Sequence, residues 1–135
     1  MNPILVIDIP GLSPALLDEL VAASRLLELP ANQTLFQAGQ PIREAHLLFS
    51  GSVKRSTTTP GGTTKVIELV QNEQLLGLGE IFGATHYAST CSSITQTLLV
   101  AINIRKLRDA TQNHHDLSRR IIMALARRQC ATEFD

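Results

Sequence analysis

The sequence predicts a mainly β fold, an antiparallel sandwich or barrel held between helices. Three observations point there. Turn residues punctuate the middle of the chain roughly every 8–12 residues. Between them lie short runs rich in Thr, Val, Leu and Phe. Helical spacing of apolar residues occurs only near the two ends.

The first expected element is a helix at about 13–24. Ser13 can cap it, and Pro14 stands at the first helical position, where a missing N–H costs nothing. Leu16, Leu17, Leu20 and Val21 then share one stripe. The β zone follows at about 26–102. Its turns are Pro30-Ala31-Asn32, Ala38-Gly39-Gln40-Pro41, Ser50-Gly51, Pro60-Gly61-Gly62 and Gln71-Asn72-Glu73. Its strands are expected at Thr34–Phe36, His46–Phe49, Val53–Thr58, Thr64–Val70, Thr90–Thr95 and Leu98–Ile102. Thr59-Pro60-Gly61-Gly62-Thr63 is the clearest hairpin, since glycine takes positive φ without steric cost. The last zone, about 104–131, is helical again. Asn103 caps a segment Ile104–Thr111, and a second segment, His115–Ala131, carries Leu117, Ile121, Ala124 and Leu125 on one stripe.

The chain has 135 residues, 44% of them apolar and 18% charged, which fits one globular domain spanning 1–135. A domain of this size buries a core without disulfides or a structural metal. No apolar stretch reaches the ~20 residues of a membrane span, and the opening ten residues lack a basic leader. Two cysteines, Cys91 and Cys130, suit a reduced, cytoplasmic setting. Twelve basic residues balance twelve acidic ones, but residues 1–100 carry five against eight and residues 101–135 seven against four. That basic tail is expected to be a solvated helix face, with a nucleic-acid or acidic partner as the other reading; the whole is far from the pI above ~9 of a domain whose main work is binding DNA.

Several segments, taken together, carry a resemblance. Phe36-Gln37-Ala38-Gly39-Gln40-Pro41-Ile42 reads as one glycine turn, and Leu47-Leu48-Phe49-Ser50-Gly51-Ser52-Val53-Lys54 as two strands meeting at another. Ile67-Glu68-Leu69-Val70 and Leu78-Gly79-Glu80-Ile81-Phe82 follow, and then the helical segment Ile104–Ala131. Over about 15–131 this order resembles the cyclic-nucleotide-binding domain found at the N-terminus of Crp/Fnr-type transcription regulators. The resemblance implies a double-stranded β-helix, a jelly-roll-like β-roll flanked by an N-terminal helix and C-terminal helices. It implies a small-molecule-sensing regulatory domain rather than an enzyme. The ligand would be a cyclic nucleotide such as cyclic AMP, and the C-terminal helix would form a homodimer whose geometry the ligand biases. DNA would be reached only through a domain that these residues do not provide, and no membrane is involved.

The resemblance places a phosphate-binding cassette at Gly79-Glu80-Ile81. Backbone N–H groups opening a short helix face the phosphate there, and the Glu80 carboxylate accepts from the ribose hydroxyl. Tyr87, Ala88, Ser89 and Thr90 line the opposite wall, with the two hydroxyls available to a phosphate. One feature departs from the family. Cyclic-nucleotide binders place an arginine several residues after the glutamate, and here that place falls on Tyr87 or Ala88. No arginine lies between Arg55 and Arg105. Losing a charge-assisted hydrogen bond costs about 1.5–3 kcal/mol, roughly ten- to hundred-fold in affinity. His86 is a poor substitute, because an imidazole is not a permanent cation.

Other readings follow from the same residues. His86, with Tyr87 and Cys91 nearby, is a haem-ligand candidate, which would make this a haem-based gas or redox sensor. A ligand-free dimerisation module, its cassette packed shut, is another. The adjacent pair His114-His115 points two ways on a helix and does not clamp an ion. Two cysteines cannot hold an iron–sulfur cluster. The nucleotide-hydrolase, dinucleotide and esterase motifs are missing, and the four histidines lack the spacing of a metal-dependent enzyme on a cupin-like roll.

Overall fold

Pro14 opens the first helix, α1 (Pro14–Ala22), in the computed structural model, which describes residues 14–71, 73–77, 80, 83–112, 120, 123 and 126. Its stripe docks Leu20, 1% exposed, into the core, with Val21 packed beside it. The helix ends where the Ser24 hydroxyl donates to the Val21 carbonyl, 2.8 Å away. The chain then extends directly into a strand.

Eight strands follow among the described residues: β1 (Ser24–Leu29), β2 (Thr34–Phe36), β3 (Glu44–Ser50), β4 (Val53–Thr58), β5 (Thr64–Val70), β6 (Gln74–Leu75), β7 (Thr90–Ser93) and β8 (Thr97–Asn103). They form two four-stranded sheets, ordered β1-β8-β3-β6 and β2-β7-β4-β5, and every pairing is antiparallel. Consecutive strands alternate between sheets at several points, so the chain winds as a β-roll. The expected mainly β roll with helices at both ends is thus the observed architecture.

The strands expected at Thr34–Phe36, Val53–Thr58 and Thr64–Val70 have those bounds, while β3, β7 and β8 differ from expectation by one or two residues at an end. Two strands lie outside the expected set. β1 holds Leu26-Leu27-Glu28-Leu29, a helix-favouring composition. Pairing with β8 from Ser24↔Ile102 to Leu29↔Thr97 overrides that preference. β6 is two residues long and pairs with Leu47 and Leu48 of β3.

The first sheet is buried on both faces: Leu47 pairs with Val100 and Leu48 with Leu99, so the two pairs point to opposite sides, and these four, with Val53 and Ile102, are all at most 1% exposed. Burying each such side chain contributes about 1.5–3 kcal/mol. Helix α2 (Ile104–Thr111) begins as β8 ends, with the Asn103 side chain accepting from Lys106 N at 3.1 Å as its cap. Leu107 is fully buried on its inner face. The expected second helix, His115–Ala131, lies outside the described residues except for Arg120, Met123 and Ala126. These three are helical, and Ala126 is buried in the core cluster. The pair His114-His115 also lies outside them.

The expected turn glycines have left-handed backbones, with φ +91° at Gly39, +94° at Gly51 and +86° at Gly62. At Gly51 a side chain is also excluded by space. A Cβ there would collide with the Gln96 carbonyl oxygen and lie 2.8 Å from the Thr97 Cα. One strand is less covered than the rest. β5 forms an edge of its sheet and exposes Val66, Ile67 and Leu69, the last at 62%.

Candidate functional site

Strand pairing aligns a row of side chains across the second sheet. Phe36 of β2 stands opposite Cys91 of β7, Cys91 opposite Arg55 of β4, and Arg55 opposite Glu68 of β5. A period of two explains Arg55: Val53 is buried, Lys54 is exposed, and Arg55 returns inward. A bulge beside Arg55 shifts the β4–β5 register, so that Ser56 pairs with Val66. The Arg55 side chain is only 13% exposed.

Arg55 Nη1 donates to Glu80 Oε1 at 2.9 Å, and the Glu80 side chain is 14% exposed. The Ser89 hydroxyl donates to the same oxygen at 2.8 Å, and the Ala88 N–H donates to Oε2 at 3.0 Å. One carboxylate thus gathers a guanidinium, a hydroxyl and a backbone amide. Gly77, at φ +60°, lies against this cluster: a Cβ there would come 3.8 Å from Glu80 Cδ and 4.0 Å from Arg55 Nη1. The Ala84 N–H donates to the Glu80 carbonyl at 2.9 Å, which anchors the backbone that carries the carboxylate.

The rest of the guanidinium is less well provided for. Arg55 Nε is buried and has no hydrogen-bond partner. Glu68 Oε1 stands 3.5 Å from it, close enough for charge attraction but too far for a good hydrogen bond. Cys91, beside Arg55, is a free and buried thiol. Burial pushes its pKa up to about 12 despite the nearby guanidinium, so it is a neutral packing residue.

Of the residues expected to line the site, Gly79 and Ile81 lie outside the described residues. Glu80 is the centre of the cluster. Ala88 and Ser89 are its partners, and Ser89 is 1% exposed, so its hydroxyl is committed to Glu80. The Thr90 hydroxyl accepts from Ala38 N at 3.1 Å. Tyr87, expected on the opposite wall, is buried against the glycine turn. Its ring stacks on Phe36 with centroids 3.8 Å apart, and its hydroxyl donates to the Glu44 carbonyl at 2.9 Å. Burial, with Glu80 and Glu44 nearby, raises its pKa to about 12.

His86 lies apart from the cluster, in an open depression it shares with Thr85 and Arg108. The ring is exposed, and its Nδ1 is 2.8 Å from the Thr85 hydroxyl. Among the described residues, the depression is lined by Gly83, Ala84, Thr85 and Arg108 beside His86. Among the described residues, no group of three or more His, Cys, Asp and Glu is placed to hold a metal ion.

The place of the family's arginine holds Tyr87 or Ala88, as expected, but sequence reasoning missed Arg55, which reaches Glu80 from β4. Its signal was available in the alternation Val53-Lys54-Arg55, which turns the arginine inward. Its partner was not, because Glu80 lies 25 residues further along the chain. A second cleft, about 330 Å³ in volume, opens among Leu27, Leu35, Phe36, Arg43, His46 and Tyr87.

Comparison with known proteins gives this geometry a context. The family model described as the cyclic nucleotide-binding domain matches residues 26–114. A curated relative, the CRP-like cAMP-activated global transcriptional regulator of Mycobacterium tuberculosis, is 24% identical over 118 residues. The match covers 87% of this chain and 53% of that protein, so the chain spans about half the length of the relative. Among solved structures, the sensor domain of the transcriptional regulator DNR from Pseudomonas aeruginosa superposes with a TM-score of 0.69. It is 25% identical, over 90% of this chain and 82% of that one. The Thermus thermophilus catabolite activator protein, 19% identical, shares the fold with a TM-score of 0.64 over 98% of this chain and 60% of its own.

Proposed function

Because the chain belongs to the cyclic nucleotide-binding domain family, we propose that it is a small-molecule-sensing regulatory domain of a CRP-like transcription regulator. The observation that carries this reading is the Glu80 carboxylate. It is held mostly buried between Arg55 of β4 and the Ala88-Ser89 segment, on residues that the resemblance assigns to the ligand site. Glu80, Ala88 and Ser89 would form the polar end of the ligand site, with Gly79, Ile81, Tyr87 and Thr90 around it. Ligand binding would bias the C-terminal helix, through which two copies pair. A two-state shift of this kind needs only differential affinity for the two helix positions. DNA contact would belong to a separate domain, as the likeness to transcription regulators suggests, and the setting would be cytoplasmic. The family is regulatory and not an enzyme family. No helix of the described residues is long and apolar enough to cross a membrane.

The test is a thermal-shift titration of the purified chain with cyclic AMP, cyclic GMP, cyclic di-GMP and haem. A ligand at 100 times its dissociation constant stabilises the fold by ~2.7 kcal/mol, a rise of a few degrees for a domain of this size. We expect a rise with a cyclic nucleotide. Silence across the panel sinks the sensing reading. It favours a second one, a ligand-free dimerisation module, for which the three internal donors on Glu80 already speak. A rise with haem alone would instead move His86 to the front.

A further inference from the structure

We infer that Arg55 is the anion-recognising residue of the Glu80 cluster, and that its Nε–Nη2 edge binds a small-molecule oxyanion in exchange for the Glu68 carboxylate. This rests on the sensing reading above and adds to it the class of group that is sensed. It also assigns that role to a strand residue.

The argument starts from the donors of the guanidinium. A guanidinium presents five N–H groups, and a side-on oxyanion takes the Nε and Nη2 pair together. Nη1 is spent on Glu80, an ion pair whose members are 13% and 14% exposed. That contact fixes the orientation of the plane. Nε is buried and unpartnered, which is costly for a charged donor. Among the described residues, Nη1 alone of the three nitrogens makes a hydrogen bond. Among the described residues, the side-on edge of a mostly buried arginine therefore makes no hydrogen bond.

Glu68 is what stands in front of it. Its carboxylate is 46% exposed, lies on an edge strand, and is 3.5 Å from Nε. Such a contact supplies charge without a hydrogen bond and is readily given up, since exposed pairs are weak. Exchange also preserves charge balance. With Glu68 and Glu80 both near Arg55, the cluster carries a net charge of −1, and an added anion would be repelled. If a singly charged oxyanion takes the place of Glu68 while that side chain turns to solvent, the local charge is unchanged. The oxyanion gains two charge-assisted hydrogen bonds that Glu68 does not make. Glu80 stays in place throughout and acts as the positioning residue for Arg55.

Isothermal titration of the full chain tests this, with inorganic phosphate, succinate and cyclic AMP as probes. The proteins are the parent chain, Glu68→Gln and the double variant Arg55→Gln with Glu80→Gln. The double variant replaces the ion pair by an amide pair, so no charge is stranded, and melting curves establish that each protein is folded. Glu68→Gln removes the competing carboxylate and should tighten binding of phosphate or succinate about two- to five-fold. The double variant should weaken it about ten- to hundred-fold. A preference for phosphate over succinate marks a phosphate ester as the ligand, and the reverse marks a carboxylate. If Glu68→Gln binds no tighter than the parent, or the double variant binds as well, the assignment of Arg55 is wrong. Cyclic AMP bound equally by all three proteins overturns that assignment and leaves the sensing reading standing. The absence of oxyanion binding by every protein also overturns it, while the thermal-shift panel decides the sensing reading separately.

Discussion

Single side chains in this domain are held in charge states that their surroundings dictate. Burial drives the pKa of His46 down to about 4, with Glu44 opposing the shift and Arg25 adding to it. The ring faces Phe36 at 6.0 Å and is neutral at physiological pH. The unfolded chain keeps the ordinary value of 6.5. Between these two values the unfolded state binds a proton that the folded state refuses, so stability is lost as pH falls through that window. The slope is about 1.4 kcal/mol per pH unit, or about 2 kcal/mol between pH 6.5 and pH 5. Glu44 acts lower on the scale. The Arg25 guanidinium, hydrogen-bonded to it at 2.9 Å, holds its carboxyl below the ordinary range, and that stability is lost only in more acidic solution. Melting curves at pH 7 and pH 5 should therefore show a drop of several degrees in the parent, and a much smaller drop in His46→Gln. Equal drops in the two proteins would show that another group titrates.

At the level of elements, the turn between β3 and β4 is the most constrained. Gly51 needs a left-handed backbone and has the Gln96 carbonyl where a side chain would go. Gly51→Ala should cost about 2–4 kcal/mol, one part for positive φ and one for displaced backbone, measured by urea unfolding. A cost under about 1 kcal/mol would mean that the 95–97 segment yields easily. Elements of this kind were legible in the sequence because their cause is local. A glycine between two β-favouring runs, Pro14 at a helix start and Asn103 at a helix cap each act through neighbours in the chain. β1 was not legible, since its leucines and glutamate favour a helix until β8 pairs with them. The candidate site was legible in half. Glu80, Ala88 and Ser89 were expected in one place, and the structure joins them around one carboxylate. Arg55 was passed over because its role exists only once β4 and the Glu80 turn approach each other.

The whole molecule is joined by distant pairings, and none is more central than β8. That strand lies between β1 and β3, pairing Leu27 and Leu48 both to Leu99. The first sheet thus has no continuous middle until residues 97–103 arrive, although two of its strands lie within the first 50 residues. Closing such loops costs entropy before any contact repays it, and folds built this way form in milliseconds to seconds rather than microseconds. A chain cut after Thr95 should show no cooperative unfolding transition in urea, and a sigmoidal curve from it would prove this dependence wrong. During synthesis, then, β1 and β3 leave the ribosome with their leucines unpaired and wait for β8. The interval in which this chain most needs protection from its neighbours is set by the order of its strands.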